Sequence, residues 1–180
     1  MTNCLELLGE IVAIYPVATG SLQFTIPFNV AVDRVAATSI LVPKPSARPE
    51  PFTRAWLNTQ RGIILDGYNI FNVNDNQIIM EPGTSVKESA KTATAGIYYT
   101  TKVSAKTYDD IERVRSLVND VLDMESFDTF IVDDMERVFV LRAEEPACAI
   151  SISANLPISQ THSIEIEVAS VSGLIPVMFA

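Results

Sequence analysis

Leu22, Phe24, Ile26 and Phe28 occupy every second position of one short stretch, with Gln23, Thr25 and Pro27 between them. A period of two is the mark of a strand with one buried face, because successive side chains point to opposite sides of the pleat. Pro27 has no N–H to give to a ladder, which puts this strand at an edge or at its end. Asp33-Arg34 interrupts the run, and Val35 to Val42 resumes it. The expected fold is mainly β, a β-sandwich or barrel-like hairpins, and α+β overall once a single helix is counted.

The chain of 180 residues is long enough to bury a real core. Hydrophobic residues make up 48% and charged ones 19%, a balance that argues against disorder and suggests apolar surface kept for oligomer contacts. No apolar run approaches the roughly 20 residues that span a bilayer. Met1-Thr-Asn-Cys-Leu-Glu6 has no basic region ahead of an apolar one, so a signal peptide is not expected and assembly in a cytoplasm is. Cys4 and Cys148 stand far apart without metal-ligand spacing and read as small buried hydrophobes. Residues 1–106 carry 9 basic and 8 acidic side chains, whereas residues 107–180 carry 4 and 14, within a net charge of −9. Such an acidic chain is a poor partner for nucleic-acid phosphates, and the asymmetry suggests two halves with different neighbours. The expected division is therefore a β-rich part, 1–106, and a helix with antiparallel strands, 107–180, the two able to form one domain.

Residues 1–9 fit either a helical turn or a leading arm. Glu10 to Val17 reads as a strand, and Ala18-Thr-Gly-Ser21 as a tight turn, giving a hairpin from Ile11 to Phe28. In Pro43-Lys-Pro-Ser-Ala-Arg-Pro-Glu-Pro51, the prolines Pro43, Pro45, Pro49 and Pro51 enforce an extended, polyproline-like segment. It is either a surface loop or an arm laid on a neighbouring subunit, with Phe52 and Trp56 as apolar feet. Ile63 to Leu65 and Tyr68 to Val73 form a second expected hairpin through Asp66-Gly67. Asn72 to Asn76 invites a calcium reading but lacks the glycine and the bidentate glutamate of a calcium loop, so it reads as a turn. Gln77 to Glu81 follows as a strand, Thr84 to Ala95 as a polar mobile loop, and Gly96 to Val103 as a strand rich in β-formers.

The helix is expected over 107–123. Thr107-Tyr-Asp-Asp110 resembles a capping box, and Ile111, Val114, Leu117, Val118, Val121 and Leu122 recur at helical spacing. That stripe should lie against one face of a sheet. Phe127 to Val132 and Arg137 to Arg142 form a hairpin about Asp133-Asp-Met-Glu136, and Ala147 to Ala154 and Thr161 to Val168 alternate as strands. Leu174, Ile175, Val177, Met178 and Phe179 make an apolar end, which must tuck into a core or dock on a partner.

Chemistry is sparsely provided. His162 is the single histidine, so a multi-histidine metal site is excluded and any Ser-His-acid triad would depend on it; its Thr-His-Ser setting reads as solvated. Asp109-Asp110, Asp133-Asp134 and Glu144-Glu145 are adjacent pairs whose side chains would diverge in a strand, and each reads as a solvated turn. The seven glycines never cluster into a phosphate loop. The chain reads as non-enzymatic, with no metal and no cofactor. A different class of function, a β-sandwich module binding carbohydrate or a small ligand, would use Trp56, Tyr68, Tyr98 and Tyr99 as stacking platforms.

The Gly20-Ser21 turn, the Phe24-Thr-Ile-Pro-Phe28 strand and the second strand to Val42, with Gly67-Tyr-Asn-Ile-Phe71 and Asn76 to Pro82 after them, resemble the N-terminal attachment region of tail fibres in short-tailed phages. In that family the region docks the fibre to the tail and carries no catalysis. The resemblance covers residues 11–82. It departs in the proline arm 43–51, and beyond Thr107, where a fibre shaft with heptads or repeats would stand. It implies a virion structural protein at the neck, tail or fibre attachment, with copies of itself and other virion proteins as partners and no membrane; a capsid decoration protein is the related alternative. The contact candidates are Pro43, Pro45, Pro49, Pro51, Phe52, Trp56, Leu174, Ile175, Val177, Met178 and Phe179.

Overall fold

The computed structural model describes residues 9–18, 24–25, 39–40, 42–43, 57–65, 68, 77–93, 96–124, 126–141, 149–156, 161–170 and 173–178. Among the described residues the chain is mainly β, with one full helix. Its strands are β1 (Ile11–Ala18), β2 (Phe24–Thr25), β3 (Ser39–Ile40), β4 (Val42–Pro43), β5 (Gly62–Leu65), β6 (Gln77–Met80), β7 (Ser85–Ala93) and β8 (Gly96–Thr107). After helix α1 (Ile111–Leu122) come β9 (Phe127–Asp133), β10 (Val138–Leu141), β11 (Ala149–Asn155), β12 (His162–Ser170) and β13 (Leu174–Met178). Eleven strands form one sheet in the order β11-β12-β8-β6-β5-β1-β9-β10-β13-β3, with β7 on β8 beside β6. The two charge halves share it, because β1 pairs with β9 and β8 with β12.

The sheet changes character along its width. In β1, β9 and β10 nearly every residue is buried, so both faces are covered and the sequence reads as a continuous apolar run. One face holds Ile14, Ile63, Ile131 and Phe139; the other holds Tyr15, Val17, Leu57, Phe130 and Val140. A register shift between Ile11 and Ala13 puts the consecutive residues Val12 and Ala13 on the same side, as an extra bulged residue does. In β8 and β12 the two-residue period returns. Val103, Ala105, Ile164, Ile166 and Val168 are buried, while Lys102, Ser104, Glu165 and Glu167 alternate with them on the outer face.

Helix α1 covers the inner face, lying closest to β11 and β1. Val114, Leu117, Val118 and Val121 are its buried stripe. Ile111 is half-buried, and Leu122, expected in the stripe, is 59% exposed in the last position of the helix. Val118→Asp should place an unpaired charge against Ile and Val side chains and destabilise the fold by several kcal/mol. Thermal melting followed by circular dichroism reads this, and an unchanged midpoint would mean that the stripe is not packed.

Thr107 does not start the helix. It is the last residue of β8, and Asp110 caps α1 by accepting from the Glu112 N–H at 3.2 Å. The reason lies in β6, which loses its ladder partner where β8 turns away after Thr107. Side chains replace the missing strand. The Thr107 hydroxyl donates to the Ile79 carbonyl, Asp109 accepts the Ile79 N–H at 3.2 Å, and the Arg113 guanidinium donates to the Gln77 carbonyl. Asp109 and Arg113 close the seam with an ion pair at 3.1 Å. Every backbone group at a strand end needs such a partner, and here the expected capping residues supply it.

Other expectations are corrected by the pairing. β1 lies between β5 and β9, and Phe24–Thr25 pairs with Val42–Pro43, so the hairpin from Ile11 to Phe28 does not form. β5 lies between β1 and β6, and residues 69–73 of the strand expected after Asp66-Gly67 lie outside the described residues. The polar stretch expected as a loop at 84–95 is β7, paired with β8 from Ser85↔Ser104 to Ala93↔Gly96. Its small and charged residues lack an apolar stripe because most of β7 is exposed; the hairpin ladder holds it, with Val86 packed against the core. Gly62 is required by close approach: a Cβ there would sit 2.5 Å from the Ile14 carbonyl oxygen and 2.6 Å from the Tyr15 ring. Gly62→Ala should therefore lower the urea midpoint by the equivalent of about 1–3 kcal/mol, the usual range for overpacking. A midpoint equal to that of the parent protein would contradict this geometry.

Candidate interaction surface

Two of the acids expected in solvated turns, Asp109 and Asp133, are bound into the structure. Asp133, expected in a solvated turn, is fully buried. Its Oδ1 accepts the N–H groups of Met135 at 3.1 Å and Arg137 at 2.9 Å, and its Oδ2 meets Arg137 Nε and Nη2, each at 2.8 Å. Oδ2 also accepts the Gly9 N–H at 3.3 Å. The turn it organises places Glu136 at φ 62, a conformation that an aspartate just ahead of a hairpin helps to hold. Asp134 beside it is exposed. Asp109 serves the β6 seam described above, and Glu144-Glu145 lie outside the described residues.

His162 is also not solvated. It opens β12 opposite Thr107, is 7% exposed, and its Nδ1 is buried without a hydrogen-bond partner. The period of two in Thr161 to Val168 explains this, since His162 shares parity with Ile164 and Ile166 on the helix-covered face. Among the described residues, no three His, Cys, Asp or Glu side chains gather as metal ligands would, and no helix is long and apolar enough to cross a membrane.

The apolar end is partly placed. Leu174–Met178 is β13, paired antiparallel with β10 from Leu141↔Leu174 to Val138↔Val177 and parallel with β3. Leu174 is 1% exposed within the main core. This stretch is therefore a strand of its own sheet rather than a free tail, because its backbone groups are already used. Gly173, at φ 64, makes the turn into it, with its N–H on Ser170 Oγ at 2.8 Å. Glu88 of β7 accepts the Leu174 N–H at 3.0 Å and the Thr101 hydroxyl at 3.1 Å, which ties the β7–β8 hairpin to β13. Pro43 pairs with Phe24; Pro45, Pro49, Pro51, Phe52, Trp56 and Phe179 lie outside the described residues, as do Cys4 and Cys148. Of the proposed stacking tyrosines, Tyr68 packs on the second core cluster, and Tyr98 and Tyr99 are half-buried neighbours on opposite faces of β8.

Among the described residues the exposed large hydrophobics, Tyr108, Leu122 and Met135, are scattered, and the extended surface is polar. The outer face of β7-β8-β12-β11 displays Lys87, Ser89 and Lys91 on β7, Lys102 and Lys106 on β8, Glu165 and Glu167 on β12, and Ser153 and Asn155 on β11. Lys87 stands directly opposite Lys102, whose ammonium reaches Glu165 at 3.3 Å. Among the described residues, β7 pairs only with β8, and β11 only with β12. Glu88 of β7 is already engaged with β13, whereas β11, with one ladder partner, keeps a row of N–H and C=O groups able to accept another strand. The candidate interaction surface consists of the β11 edge and the polar face that runs from it to β7. Sequence reasoning missed both, since a strand's position in a sheet depends on partners far along the chain. Comparison of the chain with protein-family models, with curated proteins and with solved structures returns no match.

Proposed function

We propose that this chain is a non-enzymatic structural subunit of a tailed-phage virion, placed at the neck, tail or fibre attachment and acting through subunit contacts. The observation that carries the reading is the β11 edge, paired only with β12 among the described residues, with a polar face beside it. The hydrogen-bonded carboxylates support it, because Asp109 and Asp133 hold turns and strand ends. The resemblance of residues 11–82 to a fibre attachment region supplies the virion context. Copies of the chain and other virion proteins are the partners, and the virion, assembled in the host cytoplasm, is its place of work.

Size-exclusion chromatography with light scattering tests this on the purified chain, alone and mixed with the structural proteins of the phage that encodes it. The expected result is a complex with at least one particle component. A monodisperse monomer that joins none of them would overturn the reading.

A further inference from the structure

We propose that β11 is the edge at which two copies of this chain join, antiparallel and about a two-fold axis through Ile152. The inference specifies the self-contact that the virion reading above invokes, but it stands on different observations.

Natural sheets protect their edges with charges, proline, bulges or shortness. β3 is two residues long. β7 carries Lys87 and Lys91, and a copy of β7 laid antiparallel about Ser89 would set Lys87 against Lys91, a like-charge pair that opposes pairing. β11 has none of these protections. Its seven residues, Ala-Ile-Ser-Ile-Ser-Ala-Asn, contain no charge and no proline, and its register on β12 runs unbroken from Ala149↔Ala169 to Asn155↔Ser163. Ser153 and Asn155 are exposed.

The same seven residues are complementary to themselves. An axis through Ile152 sets Ile152 against its own copy, Ile150 against Ala154, Ser151 against Ser153 and Ala149 against Asn155. No charge meets a like charge, and the full strand overlaps. The acidic row does not forbid the contact. Glu165 and Glu167 lie one strand further in, so the two β12 strands would stand three strand spacings apart, about 14 Å. That exceeds the screening length of about 8 Å at physiological salt. Lys102 also lies beside Glu165. A strand edge alone offers less than the roughly 1,200–2,000 Å² of a standard stable interface, so the dimer is a weak one that a crowded assembly would reinforce.

Two variants of the full chain test it. Ser151→Cys/Ser153→Cys, in a Cys4→Ser/Cys148→Ser background, sets the new thiols opposite one another across the axis. Positions two apart on one strand are too distant for the roughly 3.5–4.5 Å that a disulfide needs between Cβ atoms. Mild oxidation should give a covalent dimer, with mass spectrometry finding the 151–153 link. Ser151→Lys/Ser153→Lys should keep the parent circular dichroism and melting temperature. In sedimentation velocity it should remain one chain at concentrations where the parent moves towards two. A parent protein that stays monomeric, with no excess of the cysteine dimer over a Lys87→Cys control in the same background, would overturn the proposal. So would a parent dimer unaffected by the lysines. The virion reading is judged separately: a chain that dimerises through β11 but joins no particle protein keeps the dimer and loses that reading, and a monomer that joins one does the reverse.

Discussion

Deleting Leu174 to Ala180 should leave no cooperatively folded protein. The deletion removes β13, which is hydrogen-bonded to β10 over four register pairs and to β3 over two. It also removes Leu174 from the core, where a large-to-small change alone is worth about 2–5 kcal/mol. Each ladder hydrogen bond adds roughly 0.5–1.5 kcal/mol, and β10 would expose an unpaired edge beside Phe139 and Leu141. Against a typical total stability of 5–15 kcal/mol, these losses together are decisive. Circular dichroism and thermal melting of the truncated chain would show this. A cooperative melt near the parent temperature, with only assembly impaired, would return the segment to the role of an arm reaching a neighbour.

Asp133→Ala should be the most damaging single polar substitution at the β9–β10 turn. It removes the acceptor for three backbone N–H groups and the partner of Arg137. Breaking a buried pair from one side destabilises by about 3–5 kcal/mol, which for a chain of this size corresponds to a melting temperature lower by roughly 6–20 °C. The guanidinium is 37% exposed and can turn to water, so most of the effect comes from the stranded amides. Asp134→Ala, one residue on and exposed, is the control and should stay within about 0.5 kcal/mol. Equal melting temperatures for the two variants would show that the carboxylate is not holding the turn.

The parts of the fold legible in the sequence are those specified locally. The stripe Val114, Leu117, Val118 and Val121 declares a helix by its spacing, and the alternation in β12 declares both a strand and its buried face. The Asp133 to Glu136 turn lies between two apolar runs, and the hairpin follows. Pairing across the chain was not legible. Nothing near Ile11 says that its neighbours are β5 and β9, and a glycine turn at residue 20 argues locally for the opposite. β7 was missed because a surface hairpin strand needs no apolar stripe. The polar seam of Thr107, Asp109 and Arg113 looked like a helix start because the same residue types cap helices and complete broken ladders. His162 could have been found from parity alone: two positions before Ile164, it belongs to the buried face.

The position of β1 in the sheet has a consequence for synthesis. β1 is made well before its partner β9, which begins at Phe127, on the far side of the helix. At about 5–20 residues per second, the ribosome takes on the order of ten seconds to deliver that partner, and until then Ile11, Ile14, Tyr15 and Val17 have no complete site to enter. Closing so long a loop before any pairing energy returns also puts the chain among slow folders, in the millisecond-to-second range. Until β9 has followed it off the ribosome, the apolar β1 is a strand without its main partner, and the centre of the native sheet can close only after Phe127 to Asp133 have been made.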